Sequence, residues 1–375
     1  MTEFNLDDVR RWPDVEAENL YAVDATDRLL LATASVALRE YAPGEVVVVG
    51  DTHGALTLGA LQAGADRVRV HQDSLTGERA LAANARTFGL DGRYTPAALG
   101  KDLFDGARLV LLQLPRSLDA LEEIAWHIAN SASSGVTVLA GGRVKHMTAA
   151  MNQTLGKYFE LISAGLARQK SRVITAAGPL PAGPCRFPAK AEYDVGLSRP
   201  LQLRAYGATF GGAKLDPGTR LLLPHLQHAP AAASAVDLGC GNGTIAAYLA
   251  LSRPALAITA IDPSAAAVAA SRATAEANGV GGRIAVVRED GLAGRAEAGD
   301  ELIVLNPPFH SGHAVHAGVA LKLFAEAGRV LRPGGELWTV WNSHLQYRRS
   351  LEKLVGPTRQ IARNPKFTVT VSTRA

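Results

Sequence analysis

The stretch Asp237-Leu238-Gly239-Cys240-Gly241-Asn242-Gly243 follows the apolar pair Ala235-Val236 and leads into Thr244-Ile245-Ala246-Ala247-Tyr248-Leu249-Ala250. The order is strand, glycine-rich turn, helix. Glycine at alternate positions lets the backbone turn tightly and lie against a ligand, since no Cβ intervenes. Around this turn the strand candidates are Ala235–Leu238, Ala257–Ile261, Arg283–Val287, Glu301–Leu305 and Gly335–Val340, with Ala- and Leu-rich helical stretches between them. β-Branched runs alternating with helices predict a parallel sheet covered by helices.

Three acids stand at the ends of these strands. Asp237 precedes the first glycine by two residues, Asp262 ends the next strand, and Asp290 follows the one after in Arg288-Glu289-Asp290-Gly291. A carboxylate at Asp262 can accept both hydroxyls of a ribose. The G-x-G-x-x-G spacing of a dinucleotide site is absent, and Asp237 would repel a phosphate but suits a cationic amino-acid group. Asp290 can take an adenine amino group. An amino acid at one end and a nucleoside at the other describe S-adenosylmethionine. The candidate cofactor residues are therefore Asp237, Gly239, Gly241, Gly243, Asp262 and Asp290.

The strand Glu301–Leu305 runs into Asn306-Pro307-Pro308-Phe309. Two prolines stiffen the turn and hold Asn306 and the Pro307 carbonyl at the C-terminal edge of the sheet, where open α/β sheets bind ligands. An exocyclic amine on a nucleobase is a poor nucleophile, because its lone pair is delocalised into the ring. Two fixed acceptors draw its hydrogens out of plane, return the lone pair to nitrogen and stabilise the charge that develops there. Phe309 offers a face on which a flipped base can stack. Asn306, Pro307 and Phe309 are the candidate catalytic residues.

The chain has 375 residues, enough for roughly two to three domains. Residues 177–190 hold four prolines and two glycines and read as a linker or long loop near the middle. The first half repeats the pattern, with strand candidates Glu45–Val49, Arg67–His71, Arg108–Leu112 and Gly135–Ala140. Gly50, Gly54 and Asp73 precede Gly239, Gly243 and Asp262 by 189 residues each, and Lys170-Ser171-Arg172-Val173 precedes Lys366-Phe367-Thr368-Val369 by 196. This is a duplicated domain whose copies differ in chemistry. The first reads Gln113-Leu114-Pro115-Arg116 against Asn306-Pro307-Pro308-Phe309, and Gly50-Asp51-Thr52-His53-Gly54 at the loop, with Val48 in the place of Asp237.

Apolar residues at 47% and charged residues at 20% exclude a disordered chain. Two cysteines, Cys185 and Cys240, exclude a disulfide scaffold and any four-cysteine metal site. An acidic start and the lack of an apolar run of ~18 residues lead us to expect a cytoplasmic protein without a membrane partner. Residues 1–195 carry 20 Lys and Arg against 23 Asp and Glu, a net of −3, whereas residues 196–375 carry 19 against 12, a net of +7. A basic half suits a polyanion, although Arg-rich usage alone would produce the same count.

The glycine loop together with Asn306-Pro307-Pro308-Phe309-His310 resembles class I S-adenosylmethionine-dependent methyltransferases that methylate amines. The duplication and the segment Leu215-Asp216-Pro217-Gly218-Thr219-Arg220-Leu221-Leu222-Leu223 are similar to the bacterial ribosomal RNA guanine-N2 methyltransferases of the RsmC/RlmG type. The tail, Trp341 to Tyr347 and then Asn364-Pro365-Lys366-Phe367, looks closer to the large-subunit (RlmG) branch. The resemblance is strong over residues 205–375 and mainly architectural before them. It implies an α/β protein of two tandem Rossmann-like domains, each a largely parallel seven-stranded sheet with an antiparallel edge. Residues 1–185 would be a degenerate copy that supports folding and RNA binding. Residues 195–375 would be catalytic, with S-adenosylmethionine as cofactor and ribosomal RNA as partner, in a monomer.

Rival readings are a protein-glutamine or DNA-adenine N-methyltransferase, and a catalytically silent RNA-binding assembly factor. His310, His313 and His316 read as substrate-loop or surface histidines, and no metal site is expected. Arg348 and Arg349 beside Tyr347, Trp338 and Trp341 suit RNA contacts, but the tryptophans suit a core equally well.

Overall fold

The four consecutive valines Val46–Val49 are all buried, as a central strand covered on both faces requires. Val46 and Val48 enter one apolar cluster with Leu30, Leu56 and Leu111, and Val47 and Val49 enter another with Phe104, Leu112 and Ile124. The period of two thus divides one strand between two cores. The computed structural model describes residues 4–18, 20–308 and 313–375, without the side chains of residues 313–317. These residues form two compact units, 1–187 and 188–375.

In the first unit the strands are β1 (Val46–Val49), β2 (Val68–His71), β3 (Tyr94–Pro96), β4 (Leu109–Gln113), β5 (Thr137–Arg143), β6 (Phe159–Ala164) and β7 (Ser171–Pro179). Its helices are α1 (Ala25–Ala34), α2 (Ala55–Gln62), α3 (Leu75–Phe88), α4 (Lys101–Phe104), α5 (Leu118–Ser131) and α6 (Ala149–Leu155). The sheet order is β3-β2-β1-β4-β5-β7-β6, parallel except where β7 pairs antiparallel with β5 and β6.

The second unit begins with a two-stranded ribbon, β8 (Ala189–Tyr193) and β9 (Leu201–Ala205). Its sheet strands are β10 (Ser234–Leu238), β11 (Ala257–Asp262), β12 (Ile284–Arg288), β13 (Asp300–Leu305), β14 (Leu331–Asn342), β15 (Thr358–Arg363) and β16 (Phe367–Thr373). The helices are α7 (Pro217–Leu222), α8 (Thr244–Ser252), α9 (Ala265–Ala277), α10 (His313–Val330) and α11 (Arg348–Leu354). The order β12-β11-β10-β13-β14-β16-β15 repeats that of the first unit strand for strand. Each unit is a doubly wound, largely parallel seven-stranded sheet with an antiparallel edge, as the resemblance implies; the alternating pattern by itself predicts the parallel part.

Trp338 is fully buried with Leu302, Val304 and Val340, while Trp341 and Tyr347 pack on the other face with Phe324 and Leu351. Of the two uses open to these aromatics, the structure selects core packing, so they do not stack on RNA. The proline-rich stretch is not wholly loop, since its first residues, 177–179, extend β7. No helix among the described residues is long and apolar enough to cross a membrane.

Candidate functional site

β10 and β13 pair in parallel with Leu238 opposite Leu305, so the residues that follow them, Gly239 and Asn306, emerge side by side. β11 flanks β10 on the other side, which makes this the point where strand order reverses. Open α/β sheets hold their ligands there. The glycine loop forms one lip of the site and Asn306 the other.

Asp237, within β10, is fully buried. Its Oδ2 accepts the Ala246 N–H at 2.9 Å in the first turn of α8. The N-cap of α8 is Gly243, which has no side chain to do this, so Asp237 caps the helix from beneath. Its Oδ1 is buried without a hydrogen-bond partner among the described residues. Burial pushes the Asp237 carboxyl up to about 7, the Ala246 bond opposes that shift, and the charge of Asp262 adds to it. A buried carboxyl in this state is relieved by a cation.

Gly239 and Gly241 have φ of +74° and +53°, and a Cβ on either would meet no atom within 4 Å. They face open space, a cradle that a ligand can fill. Gly243 differs: its Cβ would lie 2.7 Å from Ser271 Oγ and 2.8 Å from Ser271 Cα. Of the three candidate glycines, Gly243 is therefore needed for close packing of the loop on α9, whereas Gly239 and Gly241 border open space. Cys240 is buried, which drives its thiol well above the ordinary value and leaves it unreactive.

At the end of β11, Asp262 accepts the Gly241 N–H on Oδ2 at 3.1 Å and the Ser264 N–H on Oδ1 at 2.9 Å. It braces the glycine loop from the C-terminal end of the neighbouring strand. Asp290 follows β12 and forms an ion pair with Lys322 on α10 at 2.7 Å. Glu326 of the same helix accepts the Leu292 N–H at 2.6 Å. The Asp290 turn is therefore tied to α10, a partner that sequence spacing did not reveal.

Asn306 is the most constrained of the candidates. Its Nδ2 donates to Asp216 Oδ1 and to Thr219 Oγ1, both at 2.9 Å. Its Oδ1 is buried and has no partner among the described residues. Both amide hydrogens are spent on α7, leaving one fixed, unused acceptor. Asp216 is also the N-cap of α7, accepting the Thr219 N–H at 2.8 Å. Asn242, in the glycine loop, donates to the Gly212 and Lys214 carbonyls, which ties the segment before α7 to that loop. Asp216, Thr219 and Asn242 were missed from sequence. Asp216-Pro217 does carry the signature of a helix start, but nothing local points to a partner 90 residues on.

The first unit holds a degenerate version of this arrangement. Gln113, the counterpart of Asn306, donates to Asp27 Oδ1 at 2.5 Å, and Asp27 sits at the third position of α1, as Thr219 does in α7. Burial pushes Asp27 up to about 7. Asp51 accepts the Gly54 and Thr57 N–H groups and thereby caps α2 from inside the loop, the task Asp237 performs from a strand. A Cβ at Gly50 would meet the Gln113 carbonyl oxygen at 3.2 Å, so the space open at Gly239 is closed here.

Phe309 and His310 lie outside the described residues, as do the side chains of His313 and His316. Among the described residues no group of three or more His, Cys, Asp or Glu could hold a metal ion.

Comparison with known proteins adds three findings. The RLMG N-terminal domain family matches residues 1–179 and the Methyltransferase small domain family residues 200–371. The chain is 36% identical to Ribosomal RNA large subunit methyltransferase G of Pseudomonas paraeruginosa, over 98% of this chain and 97% of that one. It is 33% identical to the protein of the same name from Streptomyces avermitilis, over 96% and 94%. Among solved structures, the T. thermophilus 16S rRNA N2 G1207 methyltransferase, RsmC, in complex with AdoMet and guanosine, superposes with a TM-score of 0.76 at 22% identity. That match covers 94% of this chain and 92% of the other, and shows a shared fold.

Proposed function

The chain belongs to the ribosomal RNA large subunit methyltransferase G family, and from that premise we propose that its second unit methylates the exocyclic N2 amine of a guanine, with Asn306 as the acceptor that activates the amine. The chain is an S-adenosylmethionine-dependent methyltransferase of ribosomal RNA. Guanine as the target base is supported by the guanosine in the complex of the RsmC protein that shares this fold. A ribosomal substrate puts its work in the cytoplasm, and one copy of the chain carries every residue the reaction needs.

When bound, the cofactor supplies an electrophilic methyl group on a sulfonium. The open cradle at Gly239 and Gly241, the unpartnered Asp237 Oδ1 and the two-acceptor carboxylate of Asp262 fit its amino-acid and ribose parts. Asp237 answers the ammonium, Asp262 the ribose hydroxyls, and Asp290 the adenine amine. Asn306 Oδ1 and the Pro307 carbonyl accept the two hydrogens of the target amine. They pyramidalise the nitrogen, return its lone pair and stabilise the positive charge that grows there. Phe309, by its residue type and place in the sequence, would supply the face on which the base stacks.

The observation that carries this reading is the buried Oδ1 of Asn306, left without a partner while its Nδ2 is doubly held. A buried acceptor without a donor costs free energy, and catalytic work is one reason to keep it. The test uses labelled cofactor and deproteinised large-subunit RNA from cells lacking the enzyme, followed by nucleoside mass spectrometry. Label in N2-methylguanosine is expected. Label in N6-methyladenosine or in protein, or no transfer, overturns the proposal.

A further inference from the structure

Helix α10 holds the turn after β12 from one of its faces. Lys322, Glu326 and Arg329 follow one another at steps of four and three residues, so they rise from the same side of the helix. Lys322 Nζ pairs with Asp290 Oδ2 at 2.7 Å and lies 3.9 Å from Glu326 Oε1. Glu326 Oε2 accepts the Leu292 N–H at 2.6 Å, and Arg329 Nη2 donates to the Leu292 carbonyl at 2.7 Å. Arg329 Nη1 reaches one step further, to the Arg295 carbonyl at 3.0 Å. Both backbone groups of Leu292 are thus answered by α10, and its side chain is fully buried. Gly291 has a φ of +74°, and a Cβ there would run into Glu326 Oε2, so a glycine lets the turn close on that carboxylate.

The two ends of this turn are held differently. Leu292 is anchored by burial and by backbone hydrogen bonds, whereas the Asp290 side chain is 28% exposed and meets a Lys322 that is 45% exposed. An ion pair so open to water adds little to stability. Its effect is to fix the orientation of one carboxylate. The first unit separates the two functions. Register sets Ile258 opposite Ile284 and Arg69 opposite Thr95, an offset of 189 between the units in both strands. At that offset Leu103 matches Leu292, each fully buried, while Lys101 stands where the second unit has Asp290. The apolar anchor belongs to the fold and is kept in both copies. The acid belongs to the second unit alone, and a cation replaces it in the copy that has lost the open glycine loop.

We infer that Lys322 is a positioning residue for the adenine end of the cofactor, holding Asp290 by Oδ2 so that Oδ1 is offered to the 6-amino group. A carboxylate on a short side chain rotates freely unless something holds it, and a ligand that must arrest it loses affinity. With Lys322 in place that ordering precedes binding. A site built around a fixed acceptor rejects a base that lacks the matching N–H, so the pair sets a preference for a 6-aminopurine. The inference rests on the reading of Asp290 as the partner of the adenine amine. It goes further by naming the residue, 32 positions along the chain, that gives this acceptor its place.

The test is calorimetry on the full-length protein with S-adenosylhomocysteine and with its purine-riboside analogue, which lacks only the 6-amino group. The parent should prefer the amino compound about tenfold, the effect of one hydrogen bond to a charged group. K322M keeps the apolar stem and should shrink that preference to about threefold by weakening the amino compound alone. K322R should restore it. In a D290A background K322M should change neither affinity, because Lys322 acts through Asp290. The melting temperature of K322M should match the parent, as an exposed ion pair allows. An unchanged preference in K322M, or an equal loss for both compounds, overturns the inference, and so does a further loss in the D290A background. A parent that binds both compounds equally removes Asp290 from the adenine and overturns the inference while the methyltransferase reading stands. A parent that binds neither overturns the cofactor site as well.

Discussion

Asn306 Nδ2 donates to Asp216 Oδ1 at 2.9 Å, joining the residue after β13 to the N-cap of α7 across 90 residues of chain. Through this bond the start of one helix determines which way the Asn306 amide faces. With both hydrogens held by Asp216 and Thr219, the amide is fixed in orientation, which under the proposed mechanism would let its oxygen receive a target amine without reorganisation.

Asn306→Ala should abolish methyl transfer while cofactor and RNA still bind, since its acceptor acts mainly in the transition state. The loss of one such preorganised acceptor typically costs ~10²–10³ in rate. Asn306→Asp should retain partial activity. Single-turnover rates with saturating cofactor measure both, and a near-normal rate for Asn306→Ala would reduce the turn to scaffolding.

Asp216→Ala removes both a helix cap and the clamp on Asn306. It should cost about 1 kcal/mol of stability and slow transfer, with cofactor affinity unchanged. Asp216→Asn keeps a capping oxygen and should restore stability and much of the rate. Melting curves read beside single-turnover rates distinguish clamp from cap, and a variant with lost stability but full rate would assign Asp216 to the cap alone.

The pH dependence of cofactor binding follows from Asp237. Its folded-state value of about 7, against an ordinary 3.8, means the folded protein keeps a proton that the unfolded chain has lost between those values. Stability present at acid pH is therefore lost as pH climbs from about 4 to about 7. A bound ammonium favours the ionised carboxyl, so affinity for S-adenosylmethionine should rise from about pH 6 to about pH 8 and then level off. Asp237→Asn should flatten that profile and raise the melting temperature at about pH 8 but not at about pH 4. Calorimetry across the range checks both.

The loop glycines should separate by role. Gly243→Ala forces a Cβ into Ser271 and should cost about 2–3 kcal/mol of stability. Gly241→Ala enters open space at a φ of +53°, so it should fold with a smaller loss, of about 1 kcal/mol from backbone strain, and bind cofactor more weakly. Asp262→Ala should weaken cofactor binding by ~1.5–3 kcal/mol through lost hydrogen bonds, and Asp73→Ala in the first unit should leave it alone. Titration calorimetry and thermal melts report the two effects separately.

The elements with a local signature were legible from sequence. Val46–Val49 and Ile303–Leu305 announced central strands because continuous β-branched and apolar runs suit burial on both faces. The glycine loop and the proline pair announced the two lips of the site because backbone constraint is written in residue type. Short or polar edge strands such as β3, β6 and β15 carried no such mark. Neither did the burial of Trp338 and Trp341, since an aromatic on an alternating strand is equally at home in a core or on RNA.

Sequence by itself determined the duplication, the alternating α/β architecture and the family, and it named the candidate site residues, because each follows from local pattern or residue type. Only tertiary structure decided how those residues are held. The pairing of Leu238 with Leu305 sets Gly239 beside Asn306, α7 clamps the amide, Lys322 meets Asp290, and Gly243 packs on Ser271 while its two neighbours face open space. Each of these relations joins groups distant along the chain through burial and hydrogen bonding, and a one-dimensional pattern carries no distance between them.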